Sequence, residues 1–249
     1  MDKNTGILNY FDKRFIEEKK IVSVNKKQKL YSKKNSVTKI EITFQDRDKT
    51  TYVLKEYTGS DRCSKSNNEN FFYDVLKNCD LKIPGVFYRK EALLVMEFLG
   101  DKTLLDYITV MEQENDRIPF DGCSDPESFA GKYRPLADAC YYMNAFNKKL
   151  HKIYDKSYVL NDMNLRNFLI PGGEIHRVDF EDCGEGLVEE DFGKFIAFLV
   201  TYRPAFTSWK LGISECIKTL CRFSLKLDHG KINFELDREI ERMKKRRMH

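Results

Sequence analysis

The chain predicts an α+β fold in which a β-rich first hundred residues carry one helix and a helix-rich remainder follows. Two observations predict it. Before residue 97, β-branched and aromatic residues alternate with polar ones, and polar turns punctuate the runs. After residue 135, apolar residues recur at helical spacing over long stretches.

Taken in order, Ile21–Val24, Thr38–Phe44 and Thr51–Lys55 read as strands, separated by the turns Lys33–Ser36 and Gln45–Asp48. A polar loop over Ser60–Asn67 then leads into a helix marked by Phe71, Phe72, Val75, Leu76 and Cys79, with Asn67 or Asn68 as its cap. Two further strands follow around Gly85–Tyr88 and Ala92–Met96. The stretch Val110–Pro135 holds Pro119, Gly122, Pro126, Gly131 and Pro135 among many charges, and is expected to be an insertion with at most short helices. Beyond it, Leu136, Cys140, Met143, Phe146 and Leu150 form one helical stripe. Trp209, Ile213, Ile217, Leu220, Phe223 and Leu227 form another, and Phe192–Tyr202 is apolar nearly all round, as a buried helix would be. The charged run Arg238–Arg247 reads as a solvated helix.

Bulk properties narrow the function classes. With 249 residues there is room for one large domain or for two small lobes sharing a cleft, and clefts hold ligands. A formal charge of +4 suits an anionic ligand such as a nucleotide but is no nucleic-acid footprint. No run reaches the roughly 18 apolar residues that a membrane span requires, and no apolar signal segment follows Met1. The seven cysteines are scattered without a C-x-x-C pair, which fits free thiols in a reducing compartment; the expectation is a cytoplasmic protein.

The chemistry is concentrated in Tyr158–Glu185. Asp162 follows a short strand-like piece, and Asn167 comes after four intervening residues. A Pro171-Gly172-Gly173 turn leads to Ile175-His176-Arg177-Val178-Asp179-Phe180-Glu181, so three oxygen-bearing side chains are expected at the ends of a short hairpin. Asp and Asn are common turn formers, yet a second acid beyond the hairpin sets this group apart. Phosphoryl transfer needs such a set: one carboxylate to orient an attacking hydroxyl and take its proton, and a carboxylate and an amide to hold Mg²⁺, which prefers hard oxygen ligands. In the first part, alternation along Thr51–Lys55 puts Val53 and Lys55 on one strand face, an apolar contact for a base and an ammonium for phosphates. Glu69 flanks the inward face of the following helix and is placed to hold that ammonium.

Asp162-x-x-x-x-Asn167 followed by Val178-Asp179-Phe180 resembles the catalytic loop and metal motif of the protein-kinase-like superfamily. Asp179-Phe180-Glu181 and Leu150-His151 are similar to its aminoglycoside and choline phosphotransferase branch. The resemblance implies a two-lobed kinase-like fold, with an N-lobe over 1–96, a hinge over 97–100 and a C-lobe over 101–249 containing the insertion 110–135. It implies that Asp162 is the catalytic base, that Asn167 and Asp179 bind Mg²⁺, and that Asp191 braces the catalytic loop. Leu94–Gly100 looks like a hinge, with Met96 beside the base and the backbone of Glu97 to Leu99 meeting adenine. Ser36 becomes a phosphate contact, in a turn that lacks the usual glycines. The pattern departs at Leu160 and Asn164, where a His and a Lys or His are usual; Arg166 is the nearest cation that could substitute.

The function expected from this is ATP- and Mg²⁺-dependent phosphorylation of a hydroxyl on a small molecule of aminoglycoside, choline-like, sugar or lipopolysaccharide-core type. A small atypical protein kinase of RIO or Bud32-like kind, and a nucleotide-binding pseudokinase scaffold, are the alternatives. No Ala-Pro-Glu follows Asp179 to close a peptide platform, which favours a small acceptor. That acceptor is expected between the insertion and Arg203–Lys210, with Glu112, Glu114, Asp116, Asp121, Asp125 and Glu127 as possible partners for a cation.

Overall fold

The computed structural model describes residues 8–115 and 125–247. The chain divides into two compact units, one comprising Met1–Tyr73 and Pro84–Leu99, the other Asp74–Ile83 and Gly100–His249. The first is β-rich and the second helical, so the fold is α+β.

In the first unit, a short helix α1 (Lys13–Lys19) precedes strands β1 (Ile21–Leu30), β2 (Ser36–Phe44) and β3 (Lys49–Glu56). Helix α2 (Arg62–Leu76) follows, then β4 (Val86–Lys90) and β5 (Leu93–Glu97). The five strands form one antiparallel sheet in the order β1-β2-β3-β5-β4. Period-two alternation gives it two apolar faces. On one, Val24, Ile40, Ile42, Leu54 and Val95 are buried against Phe11 and the partly buried Phe15 and Ile16, the apolar residues of the N-terminal segment. On the other, Lys55 and Met96, joined by Tyr57 just past β3, meet Glu69 and Tyr73 of α2. Helix α2 begins at Arg62, earlier than the sequence indicates, and Asn67 and Asn68 lie in its interior. Asp61 supplies the carbonyl for the first turn, and the buried Ser66 hydroxyl donates to the Glu91 carbonyl at 2.6 Å, which requires a formed helix at that point.

The second unit contains helices α3 (Leu104–Asn115), α4 (Pro126–Lys132), α5 (Arg134–Tyr154), α6 (Val188–Thr201), α7 (Ser208–Leu220) and α8 (His229–Arg247). Between α5 and α6 lie four two-residue strands: β6 (Tyr158–Val159) pairs with β9 (Gly184–Glu185), and β7 (Phe168–Leu169) with β8 (His176–Arg177). Helix α6 is buried nearly all round, as its composition requires. The stripe that starts at Trp209 ends with α7 at Leu220. A wider turn over Cys221–Leu225 closes on the left-handed Lys226 and leaves Phe223 exposed.

The C-terminal helix is a correction to the sequence reading. Ile232, Leu236 and Met243 of α8 are buried, and it packs on α6 at Gly193. Only its other face is solvated. The six described cysteines are free thiols, and among the described residues no helix is long and apolar enough to cross a membrane.

Candidate functional site

In the first unit the sheet and α2 build a buried ion pair. Lys55 is 4% exposed and Glu69 fully buried, with Nζ and Oε2 2.5 Å apart. Tyr57, which directly follows β3, donates its hydroxyl to the same Glu69 oxygen at 2.6 Å. Burial is the first cause that drives the Tyr57 phenol far above its usual range, with the Glu69 charge next, so the hydroxyl stays a donor. Val53 lies opposite Met96 in the β3–β5 register. Tyr73 reaches the Met96 sulfur at 3.4 Å.

Ser36 opens β2 and donates to Glu56 at 3.3 Å. The turn before it is secured without glycine: the buried Asn35 accepts from the Thr58 N–H at 3.3 Å, and its own N–H donates to Ser32 at 3.1 Å. At the end of β5, Glu97 exchanges two bonds with Gly85, its N–H to the Gly85 carbonyl at 2.8 Å and its carboxylate from the Gly85 N–H at 3.1 Å. Lys39 stacks on the neighbouring Phe98 ring at 3.8 Å, and Leu99 ends the unit half-buried.

In the second unit Asp162, Asn167 and Asp179 are half-buried. Asn167 immediately precedes β7, and Asp179 comes two residues after β8. Asp162 follows β6, whose partner is β9, so it does not emerge from the same hairpin as the other two. Arg177 joins the two pieces. It is 0% exposed, and its guanidinium donates to the Asp162 carbonyl at 2.6 Å while stacking over Phe168 at 4.8 Å. Its neighbour Val178 donates to the Asn167 carbonyl at 3.0 Å, one residue before Asp179. Arg177 escapes sequence reasoning because a lone Arg inside a strand reads as surface. Fully buried arginines are rare, and only the fold reveals this one.

Asp191, at the start of α6, accepts the N–H groups of Leu160 and Asn161 at 2.7 and 2.9 Å. Burial raises its pKa to about 6, against the lowering effect of those two backbone bonds. Lys194, one turn on, donates to Asn161 Oδ1 at 2.8 Å, and Asn161 Nδ2 donates to the Asp182 carbonyl at 3.0 Å. Asn161 and Asp179 both have positive φ, 63° and 69°. Left-handed backbone is costly for residues other than glycine, though Asp and Asn tolerate it best, and such strain collects at functional sites.

Asn164, where a cation is usual, is held tightly. Its N–H donates to Asp162 Oδ1 at 3.1 Å, and its Oδ1 accepts from the Tyr202 hydroxyl at 2.7 Å and the Arg166 N–H at 3.1 Å. Arg166 itself lies over the Tyr202 ring at 5.5 Å. Of the acids expected to meet a cationic acceptor, two have structural duties instead. Glu112 is 5% exposed and paired with Lys210 at 2.9 Å, and Asp125 caps α4 by accepting from the Ser128 N–H at 2.8 Å. Glu114 and Glu127 are exposed, while Asp116 and Asp121 lie outside the described residues.

The second unit therefore presents two carboxylates and an amide, all hard oxygen donors that suit Mg²⁺. The Asn167 Nδ2 is buried and has no hydrogen-bond partner among the described residues; an amide left with an unused polar atom fits a ligand-facing role. In the first unit the Lys55 ammonium suits phosphate oxygens.

No family model matches the chain, and no curated protein matches its sequence. Among solved structures it is similar to the ADP-bound aminoglycoside phosphotransferase APH(2'')-Ib, with 18% identity, a TM-score of 0.49, and coverage of 91% of this chain and 86% of that one. It is similar to the streptomycin–ATP ternary complex of APH(2'')-IIa at 16% identity and a TM-score of 0.48, covering 90% of this chain and 85% of that one. A third is Rio2 kinase from Chaetomium thermophilum in its ADP/Mg²⁺-phosphoaspartate complex, at 12% identity and a TM-score of 0.45, covering 90% of this chain and 62% of that one.

Proposed function

We propose that this chain is an ATP- and Mg²⁺-dependent phosphotransferase whose acceptor is a hydroxyl of a small molecule. The observation that carries the reading is the tie among Asp162, Asn167 and Asp179: the buried Arg177 and its neighbour Val178, the two residues immediately before Asp179, donate to the carbonyls of Asp162 and Asn167. Asp162 orients the acceptor hydroxyl and takes its proton, and Lys55, held by Glu69, serves the phosphates. Asn167 and Asp179 would hold Mg²⁺, which when bound neutralises charge on the phosphate oxygens. Ser36 serves as a phosphate contact, and Val53, Met96, Glu97 and Leu99 serve the adenine.

The acceptor class rests on the short path from Asp179 to α6. Within it β9 pairs with β6, and the Gly186 N–H donates to the Ser157 carbonyl at 3.1 Å. A Cβ on Gly186 would meet Val159 at 2.7 Å, so this path is packed close to the unit. A segment so short and so tightly held offers little platform for an extended peptide, which supports a small acceptor over a protein. In this reading the acceptor is of aminoglycoside, choline-like, sugar or lipopolysaccharide-core type, and the phosphotransferase works in the cytoplasm.

Two measurements test the reading. Mg-ATP is expected to raise the melting temperature, because a ligand that binds only the folded state stabilises it. ATP consumption is expected to rise with one class in a panel of aminoglycosides, choline analogues, sugars and generic protein substrates. No thermal response to Mg-ATP would defeat the proposal, and turnover confined to protein substrates would replace the acceptor.

A further inference from the structure

We propose that Tyr202, locked from behind by Lys210, is a positioning residue that clamps Asn164 and through it sets the Asp162 carboxylate. The inference rests on the phosphotransferase reading and names a residue that the reading does not.

The contacts form an unbroken chain within the second unit. The Asn164 N–H donates to Asp162 Oδ1, and the Asn164 side-chain oxygen accepts from the Tyr202 hydroxyl. Asn164 caps the short 3₁₀ turn Leu165–Asn167, so its side chain cannot rotate without giving up the Arg166 N–H as well. Tyr202 stands at the C-terminal end of α6. Its carbonyl accepts from Lys210 Nζ at 2.9 Å, and the same ammonium donates to the Pro204 carbonyl at 2.6 Å. Lys210 is 1% exposed and paired with Glu112, whose other oxygen accepts from Thr207 at 2.6 Å. A charged pair so deeply buried is expensive to keep. Here it holds the loop after α6 in one place, and that loop presents the Tyr202 hydroxyl to Asn164.

The arrangement accounts for Asn164 at a position where a cation is usual. An amide can accept from Tyr202 and Arg166 with its oxygen while its backbone N–H reaches Asp162; an ammonium or a protonated imidazole has no acceptor to offer. The carboxylate is thereby fixed by an uncharged donor on a rigid turn, and Arg166, stacked on Tyr202, is the nearby cation.

The full chain carrying Tyr202→Phe tests this by removing one hydroxyl. Loss of the hydroxyl removes its bond to Asn164 and the longer one it accepts from Arg166 at 3.4 Å, and is expected to lower kcat about tenfold and leave the KM for ATP within about twofold. Amide exchange supplies a readout that needs no turnover: the Asn164 N–H is expected to exchange faster, while the Asn161 N–H, held by Asp191, does not change. The paired variant Glu112→Gln with Lys210→Met, which leaves no buried charge uncompensated, is expected to move both readouts the same way. Unchanged exchange at Asn164 in Tyr202→Phe overturns the clamp, and so does an unchanged kcat in an active protein. Faster exchange at Asn164 in a protein that turns over no ATP with any acceptor upholds the clamp and defeats the phosphotransferase reading instead.

Discussion

The Asp191 carboxylate accepts the N–H groups of two consecutive residues, Leu160 at 2.7 Å and Asn161 at 2.9 Å, across the gap between α6 and the segment that ends at Asp162. The acid is fully buried, and its pKa is raised to about 6, mainly by loss of hydration. An unfolded Asp ionises near about 3.9. Between about pH 4 and pH 6 the folded chain therefore holds a proton that the unfolded chain has released, and this group's contribution to stability falls as pH rises through that window. Asp191→Asn has no such proton to lose. Its stability deficit against the unaltered chain is expected to be larger at pH 4.5 than at pH 7, by roughly 2–3 kcal/mol over the whole shift. Urea unfolding at several pH values measures it, and a deficit independent of pH would mean that Asp191 titrates normally.

The Lys55–Glu69 pair makes a second prediction, confined to the first unit. Removing one member of a buried pair strands the other charge, at a typical cost of about 3–5 kcal/mol. Lys55→Met is expected to lose stability on that scale, although Tyr57 still donates its hydroxyl to Glu69. Adding Glu69→Gln should restore part of the loss, because no charge then remains buried. A double-mutant cycle by chemical denaturation gives the coupling, and additive losses would show the two residues to be independent.

Asp162 and Asp179 should separate by function. Asp162→Ala is expected to abolish turnover and leave nucleotide affinity nearly unchanged, because a base acts on the acceptor and not on the nucleotide. Asp179→Ala should weaken binding only when Mg²⁺ is present. Calorimetry with ATP, with and without Mg²⁺, reads both, and equal activity in Asp162→Ala would remove it from its assigned role.

How far the sequence reveals this molecule depends on the range of each signal. The sheet was legible because strand alternation is local: the runs at Ile21, Thr38, Thr51, Gly85 and Ala92 all lie within or against observed strands. Helix α1 was not, because only Phe15 and Ile16 of its seven residues are apolar, and what buries the N-terminal segment is the far-off Tyr88 and Phe87. In the second unit the motif residues are readable by spacing. Their supports are not: Arg177 and the Glu112–Lys210 pair look like surface residues until the fold closes around them, and nothing in the apolar run that ends at Tyr202 marks its hydroxyl as a partner of Asn164. Glu112 misled for that reason, since an acid in a charged stretch carries no mark of the lysine that it meets 2.9 Å away.

The C-terminal helix shows the same limit and yields the last prediction. Its charge run hides an apolar edge made by Ile232, Leu236 and Met243, which lies on α6. The approach is closest at Gly193, where an added Cβ would come within 2.6 Å of the Glu235 Cβ and 2.8 Å of the Leu236 backbone nitrogen. Backbone and Cβ atoms cannot swing aside as the end of a long side chain can, so the helices must part. Gly193→Ala is expected to destabilise the second unit by about 1–3 kcal/mol despite the better helix propensity of alanine, which is worth about 1 kcal/mol in the other direction. The two effects have opposite sign, so the experiment is decisive. A lower urea midpoint with an unchanged slope means that contact with α8 dominates. A midpoint that rises would mean that α8 leaves α6 readily, and that Arg238–Arg247 behaves after all as the solvated helix its charges suggest.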